Sequence, residues 1–159
     1  DGQQLQVLKT EIKGEVPGES FLIFSEEDAN AIAEMCLSPA QAAIPEMQDA
    51  ILLEIDNILT ASVVTQFSNF FDLLCYGDVP HLSTSKKSKV EQTIKKHMKV
   101  YQVEFTFRTS FVTDQVSISP DFIWIFKENV VHHLKRFSAD ENAERKLAEK
   151  SSKVREYIC

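Results

Sequence analysis

The sequence predicts an α/β protein of the α+β kind, with an antiparallel or mixed sheet and two long helices packed on it. Three observations lead to this prediction. Short runs alternate apolar and polar residues, which is typical of half-buried strands. A hairpin followed by a helix occurs twice, over residues 6–37 and 100–137. One long helix, without internal Gly or Pro, is predicted between them over residues 45–74.

The first hairpin is indicated by residues 6–13, which alternate apolar and polar side chains, and by the apolar run over residues 21–24. The turn residues between them, over 14–19, favour a tight connection. Ser25 follows the second run and is a typical helix N-cap. Asp28, three residues later, completes a pair like a capping box, so a helix is expected to about residue 37.

The long helix shows apolar residues at helical spacing along its whole length, which predicts a broad buried face. Ser38 and Pro39 separate it from the helix before it, and the turn residues 76–80 end it. The residues predicted to form the buried face are Ile44, Met47, Ile51, Ile55, Ile58, Leu59, Val63, Phe67, Phe70 and Leu74.

The second half repeats the order of the first. Residues 101–107 alternate strictly, residues 111–118 continue the alternation less cleanly, and residues 122–126 form another strand-like run. A helix is predicted next, over residues 127–137. This order predicts an internal pseudo-two-fold repeat within a single domain over residues 1–137. The charged remainder, residues 138–159, is predicted to be a helical tail that is exposed or packs on a partner.

The composition and charge of the chain limit the classes of function that it can have. The chain has 159 residues and a formal charge of −7, which argues against general nucleic-acid binding. No apolar run approaches the roughly 20 residues of a membrane helix, so no membrane association is expected. The three cysteines, Cys36, Cys75 and Cys159, form no close pair and indicate a reducing cytoplasm. Cys36 and Cys75 are expected to be buried free thiols.

Two polar residues in the long helix are not explained by packing. Glu54 and Asn57 are three positions apart, so their side chains leave the helix on the same side. Small residues at Ala50 and Ala61 continue this stripe and would let another surface approach closely. A carboxylate beside a carboxamide can hold a cation and orient a water molecule. The ordinary alternative is that both side chains are simply solvated.

The segment 54–61 resembles the motif of the CheC/CheX/FliY family of chemotaxis phosphatases. Pro80 follows it, with 22 residues between Asn57 and Pro80. That motif is Asp or Ser, three residues, Glu, two residues, Asn, about 22 residues, and Pro. The resemblance covers roughly residues 5–137. Ala50 stands where the family has Asp or Ser. Asp56 and Ala61 stand at positions where Gly is common, and the helix expected before residue 6 is absent.

The resemblance implies a CheC-like fold and removal of phosphate from the aspartyl phosphate of a CheY-like receiver domain. Asn57 would orient the attacking water, and Glu54 would accept the ammonium group of the receiver's Lys. Ala50, Ala61 and Pro80 would belong to the binding surface. No cofactor is implied on this chain, because the receiver holds the Mg²⁺. The alternative is a binding or scaffold module that docks a receiver or another signalling protein without catalysis, and a homodimer remains open.

Two further features have competing interpretations. The basic stretch over residues 86–99 is either solvated or a positive edge that steers the acidic pocket of a receiver. His132 and His133 are the only adjacent His pair, with Glu128 four residues before His132. Adjacent residues on a helix point about 100° apart. No metal site is therefore expected.

Overall fold

The computed structural model describes residues 2–108, 110–112, 117–139, 142 and 145. Within them the helices are α1 (Glu26–Cys36), α2 (Pro39–Ala42), α3 (Pro45–Phe71), α4 (Lys87–Tyr101) and α5 (Asn129–Ser138). The strands are β1 (Gln4–Gly14), β2 (Gly18–Ser25), β3 (Cys75–Gly77), β4 (His81–Lys86), β5 (Val103–Arg108), β6 (Phe111–Val112), β7 (Ser117–Ile118) and β8 (Asp121–Phe126).

The main sheet has the order β3-β1-β2-β8-β5, and β4 also pairs with β1. All of its described pairs are antiparallel, so of the two predicted sheet types the antiparallel one forms. The predicted first hairpin is confirmed, since β1 pairs with β2 along its length. Ser25 caps α1, where its hydroxyl accepts a hydrogen bond from the Asp28 N–H at 3.0 Å.

The sheet separates two layers of helices, because successive side chains of a strand point to opposite faces. On one face Leu22, Phe122 and Trp124 pack with α1, α3 and α5. On the other face Phe21 and Ile125 pack with α4. The two long helices, α3 and α4, therefore lie on opposite sides of the sheet.

The face of α3 that packs on the sheet matches the predicted one only in part, since Ile55, Leu59, Val63 and Phe67 pack partly buried against the core. Its buried residues are Leu52, Asp56, Thr60 and Val64, spaced four apart, whereas Ile58 is 54% exposed. Apolar residues surround α3 on most sides, so their spacing does not select one face. Asp56 and Thr60 could turn inward because the sheet supplies hydroxyl groups to meet them.

The length and composition of α3 also correct the expectation that no segment of the chain is apolar enough over the length of a membrane helix. It is the one helix in the described part of the chain that is long and apolar enough to cross a membrane. Only 22% of its most apolar stretch is buried, but α3 lies against the sheet and buries the Asp56 carboxyl there.

The second half of the chain differs from the prediction in the segment between β5 and β8. Strands β5 and β8 pair, and α5 follows β8 as α1 follows β2. The segment predicted as one strand instead forms β6 and β7, a separate two-stranded sheet. The central order β1-β2-β8-β5 is symmetric, in keeping with the predicted repeat. The predicted tail falls almost entirely outside the described residues.

Strands β3 and β4 were not predicted, because they are polar and lie at the sheet edge, where burial leaves little pattern. Their positions follow from pairing with β1. Cys36 is exposed rather than buried, and Cys75 is half-buried; both are free thiols.

A buried charge cluster joins α4 to the sheet. The Glu19 side chain is 7% exposed, and one of its oxygens lies 2.6 Å from Lys9 Nζ. The other oxygen is bound to Nδ1 of His97 on α4. Because an unpaired buried carboxylate is strongly unfavourable, the contact between Glu19 and His97 holds α4 at a fixed position on the sheet.

Candidate functional site

An open depression brings together residues of α3 and of the sheet edge. It has a volume of about 510 Å³. From α3 it is lined by the predicted residues Ala50, Glu54 and Asn57, and from the edge by Pro80. Its remaining lining residues are Leu53, Gly77, Asp78 and Val79.

The edge approaches α3 closely because Gly77 has no side chain. A Cβ atom at this position would lie 3.0 Å from Cγ2 of Thr60 on α3. Past Gly77 the pairing with β1 shifts by one residue, from Ile12 opposite Gly77 to Lys9 opposite His81. Such a shift inserts an extra residue and bends the edge.

Pro80 lies within this irregular segment, between β3 and β4. It has no N–H to donate to a strand ladder, so an interrupted edge position suits it. The bend and the close approach at Gly77 together place Pro80 beside α3. Residues far apart in sequence therefore meet at one site.

The polar side chains of the site are available to a partner. Glu54 and Asn57 are exposed and form no hydrogen bond or ion pair with any described residue. Ala50 is exposed and adds no polar atom to the depression. Ala61 is exposed one turn after Asn57 and is not among the lining residues.

From the sequence, Asp56 was noted only because it occupies a position where the family motif commonly has Gly. In the structure its side chain is buried directly beside the site. Asp56 is 0% exposed, and its Oδ2 accepts a hydrogen bond of 2.6 Å from the Thr10 hydroxyl on β1. Burial raises the pKa of its carboxyl to about 6, although the Thr10 hydrogen bond opposes this shift. The sequence signal for this burial was the position of the carboxylate on an apolar helix, four residues from Leu52 and four from Thr60.

Asp56 belongs to a polar seam between α3 and the sheet. Thr10, Ser20 and Trp124 lie side by side on β1, β2 and β8. The Ser20 hydroxyl lies 3.4 Å from the Thr60 hydroxyl. Oδ1 of Asp56 and Nε1 of Trp124 are buried without a hydrogen-bond partner among the described residues. The seam fixes the rotation of α3 and thereby turns Glu54 and Asn57 outward.

The charge around the depression is negative. Asp78 forms an ion pair with Lys13, which holds the pKa of its carboxyl below the usual value. Glu54 has no such partner in the described chain. The site therefore favours a cationic group from whatever docks against it.

The basic stretch does not flank this depression. Its lysines lie on α4 or just before it, and α4 packs on the face of the sheet opposite α3. The interpretation of residues 86–99 as a positive edge that steers a partner into the site is therefore not supported by their position.

No metal-binding cluster accompanies the site. Within the described residues, no group of three or more His, Cys, Asp or Glu side chains could hold a metal ion. The rings of His132 and His133 on α5 are 5.8 Å apart and inclined by 80°.

The fold is similar to that of FliY from Thermotoga maritima, known from an X-ray crystal structure. The TM-score is 0.58, the sequence identity is 12%, and the match covers 92% of this chain and 73% of the FliY chain. The predicted CheC-like fold is thereby confirmed. No protein-family model matches the chain, and no curated protein matches it.

Proposed function

We propose that this chain is a phosphatase of phosphorylated receiver domains of the CheY type, acting in chemotaxis or two-component signalling. The observation that carries the proposal is the exposed, unpaired Glu54–Asn57 pair beside Pro80 in one open depression. The FliY-like fold supports it. Since receivers of this type act in the cytoplasm, the chain is assigned there.

The reaction hydrolyses an aspartyl phosphate. The oxygen of a water molecule attacks phosphorus, the bond from phosphorus to the aspartyl oxygen breaks, and the proton of the water leaves to solvent or phosphate. The Asn57 carboxamide oxygen would accept a hydrogen bond from that water and hold it in line, as a Gln does in GTPases. Positioning of this kind supplies several kcal/mol of barrier reduction.

Glu54 would hold the two proteins in register. Its carboxylate would accept hydrogen bonds from the ammonium of the receiver's Lys, a charge-assisted contact. The negative charge at the depression suits such a cation. This chain would provide no nucleophile and no metal ligand, because the receiver contributes both the phosphoryl group and the Mg²⁺.

The test measures phosphate release from a phosphorylated CheY-like receiver with Mg²⁺ present. Wild-type chain should accelerate release, and Asn57→Ala should lower the rate roughly 100-fold or more. Asn69 is an exposed Asn on the same helix, so Asn69→Ala is the matched control and should retain activity. Release that wild-type chain does not accelerate on any receiver tested would refute the enzyme assignment.

Ala50 favours a second candidate function, a docking module without catalysis. The family motif has an oxygen-bearing side chain at this position, and Ala50 has none. A module of this kind would bind phosphorylated receiver equally well as wild type and as Asn57→Ala, without changing phosphate release. Isothermal titration calorimetry on both chains tests it, and absence of binding would exclude it.

A further inference from the structure

Charge is segregated along this chain. Residues 14–85 contain twelve acidic residues and no Lys or Arg, whereas residues 86–101 contain six Lys and one Glu. The overall charge of −7 conceals this contrast. A contrast of this kind has structural meaning only if the fold keeps the two groups apart.

The fold places the positive group on one side of the sheet. Lys89, Lys96 and Lys99 are exposed on α4 at spacings of seven and three, which align them along its outer surface with Lys95 beside them. We name these four residues the lysine face. None of them forms an ion pair with any described residue. Lys99 lies three residues from Lys96 and four from Lys95, and like charges at these spacings repel on a helix, although Lys99 in the last turn also complements the helix dipole.

Five exposed residues of the negative group lie on helices packed on the other side of the sheet, whereas Glu19 is buried against α4. Glu26, Glu27 and Glu34 on α1 and Glu46 and Asp49 on α3 are exposed, and we name these five residues the acidic face. In the described part of the chain, none of these carboxylates has a cationic partner. The molecule therefore presents two unpaired surfaces of opposite sign.

We infer that the lysine face docks on the acidic face of a second copy of this chain. Charge complementarity identifies the occupant, because each copy carries both of the surfaces that the contact needs. A lipid surface is less suitable, since the apolar side of α4 is already packed on the sheet through Val90 and Ile94 and cannot insert into a bilayer.

The contact has two consequences. It is head-to-tail, because the two faces lie on opposite sides of the sheet and cannot both meet the same neighbour, so it builds rings or open chains rather than a two-fold dimer. Glu54 lies on α3, the helix that also carries part of the acidic face. If the proposed function holds, self-association and receiver docking therefore compete for this side of the molecule.

Sedimentation velocity on the full chain, without any receiver, tests the inference. Wild type should associate at about 50 mM salt and dissociate at about 500 mM, because salt screens exposed charges. The triple variant Lys89→Glu/Lys96→Glu/Lys99→Glu and the triple variant Glu26→Lys/Glu27→Lys/Glu34→Lys should each fail to self-associate. An equimolar mixture of the two variants should associate again.

The control variant is Lys127→Glu, which changes an exposed charge outside both faces and should associate like wild type. Circular dichroism checks that the variants fold. A wild type that stays monomeric at low salt, or association that survives both charge reversals, would overturn the inference. Binding of monomeric chain to vesicles of anionic phospholipid through the lysine face would also overturn it. Phosphate release is measured separately, so either proposal can fail without the other.

Discussion

The hydroxyl of Thr10 on β1 donates a 2.6 Å hydrogen bond to Oδ2 of Asp56 on α3, the residue directly before Asn57. The other oxygen, Oδ1, is buried without a partner among the described residues. Two adjacent helical residues thus carry a fully buried carboxyl and the exposed amide of the candidate site. The contact links the packing of α3 to the outward orientation of Asn57.

Asp56 makes stability depend on pH. Its pKa is about 6 in the folded chain against 3.8 for the free side chain. The folded state therefore holds the proton more tightly, and this stabilisation is present below about pH 4 and lost as pH rises through 6. Asp56→Asn is neutral throughout, so it should be more stable than wild type above about pH 7, by up to about 3 kcal/mol.

Urea denaturation of both chains across this pH range measures the difference. Asp49→Asn, an exposed acid of the same helix, is the control and should follow wild type. If the stability difference between wild type and Asp56→Asn does not change with pH, the Asp56 carboxyl is not buried as described.

The two candidate buried faces of α3 can be told apart by truncation. Leu52 is 2% exposed and packs in the core, so Leu52→Ala should destabilise the chain by about 2–5 kcal/mol. Ile58→Ala, on the face that the sequence predicted to be buried, should lose much less, because Ile58 is largely exposed. Equal losses in thermal unfolding would contradict the observed rotation of α3.

The turn of the first hairpin depends on Gly14. Its φ is +112°, and an added Cβ would lie 2.1 Å from the Leu74 carbonyl oxygen. Gly14→Ala should therefore destabilise the chain by at least about 2 kcal/mol. Gly2→Ala meets nothing within 4 Å and should be neutral. Differential scanning calorimetry of the two variants makes the comparison, and a stable Gly14→Ala chain would be inconsistent with this turn.

The proposed role of Glu54 predicts that a variant without its charge binds the receiver more weakly but carries out the chemical step at nearly the same rate. Glu54→Gln keeps the shape but removes the charge that would meet the receiver's Lys, at a loss of about 1.5 kcal/mol. The KM for phosphorylated receiver should rise about tenfold with little change in kcat. Glu46→Gln, exposed near the start of α3, is the matched control. A fall in kcat alone would assign Glu54 a different role.

Local pattern was sufficient for much of the fold. The alternation in β1 and β5, the apolar runs in β2 and β8 and the N-cap at Ser25 were predicted correctly, because each depends on residues close in sequence. Strands β3 and β4 were not predicted, since a polar edge strand is recognised only by its hydrogen-bonded pairing with the neighbouring strand. The buried face of α3 was predicted only in part for a related reason, because a helix that is apolar on most sides gains its orientation only from what it packs against.

The sequence by itself determined most of the elements, through local residue patterns, and the polar pair at Glu54 and Asn57, through their spacing along one helix. Only the tertiary structure decided that Pro80 meets this pair. That meeting requires the close approach at Gly77 and the bend of the sheet edge. The burial of Asp56 is likewise a tertiary result, because a carboxyl becomes a core group only where another strand provides a hydroxyl to bind it.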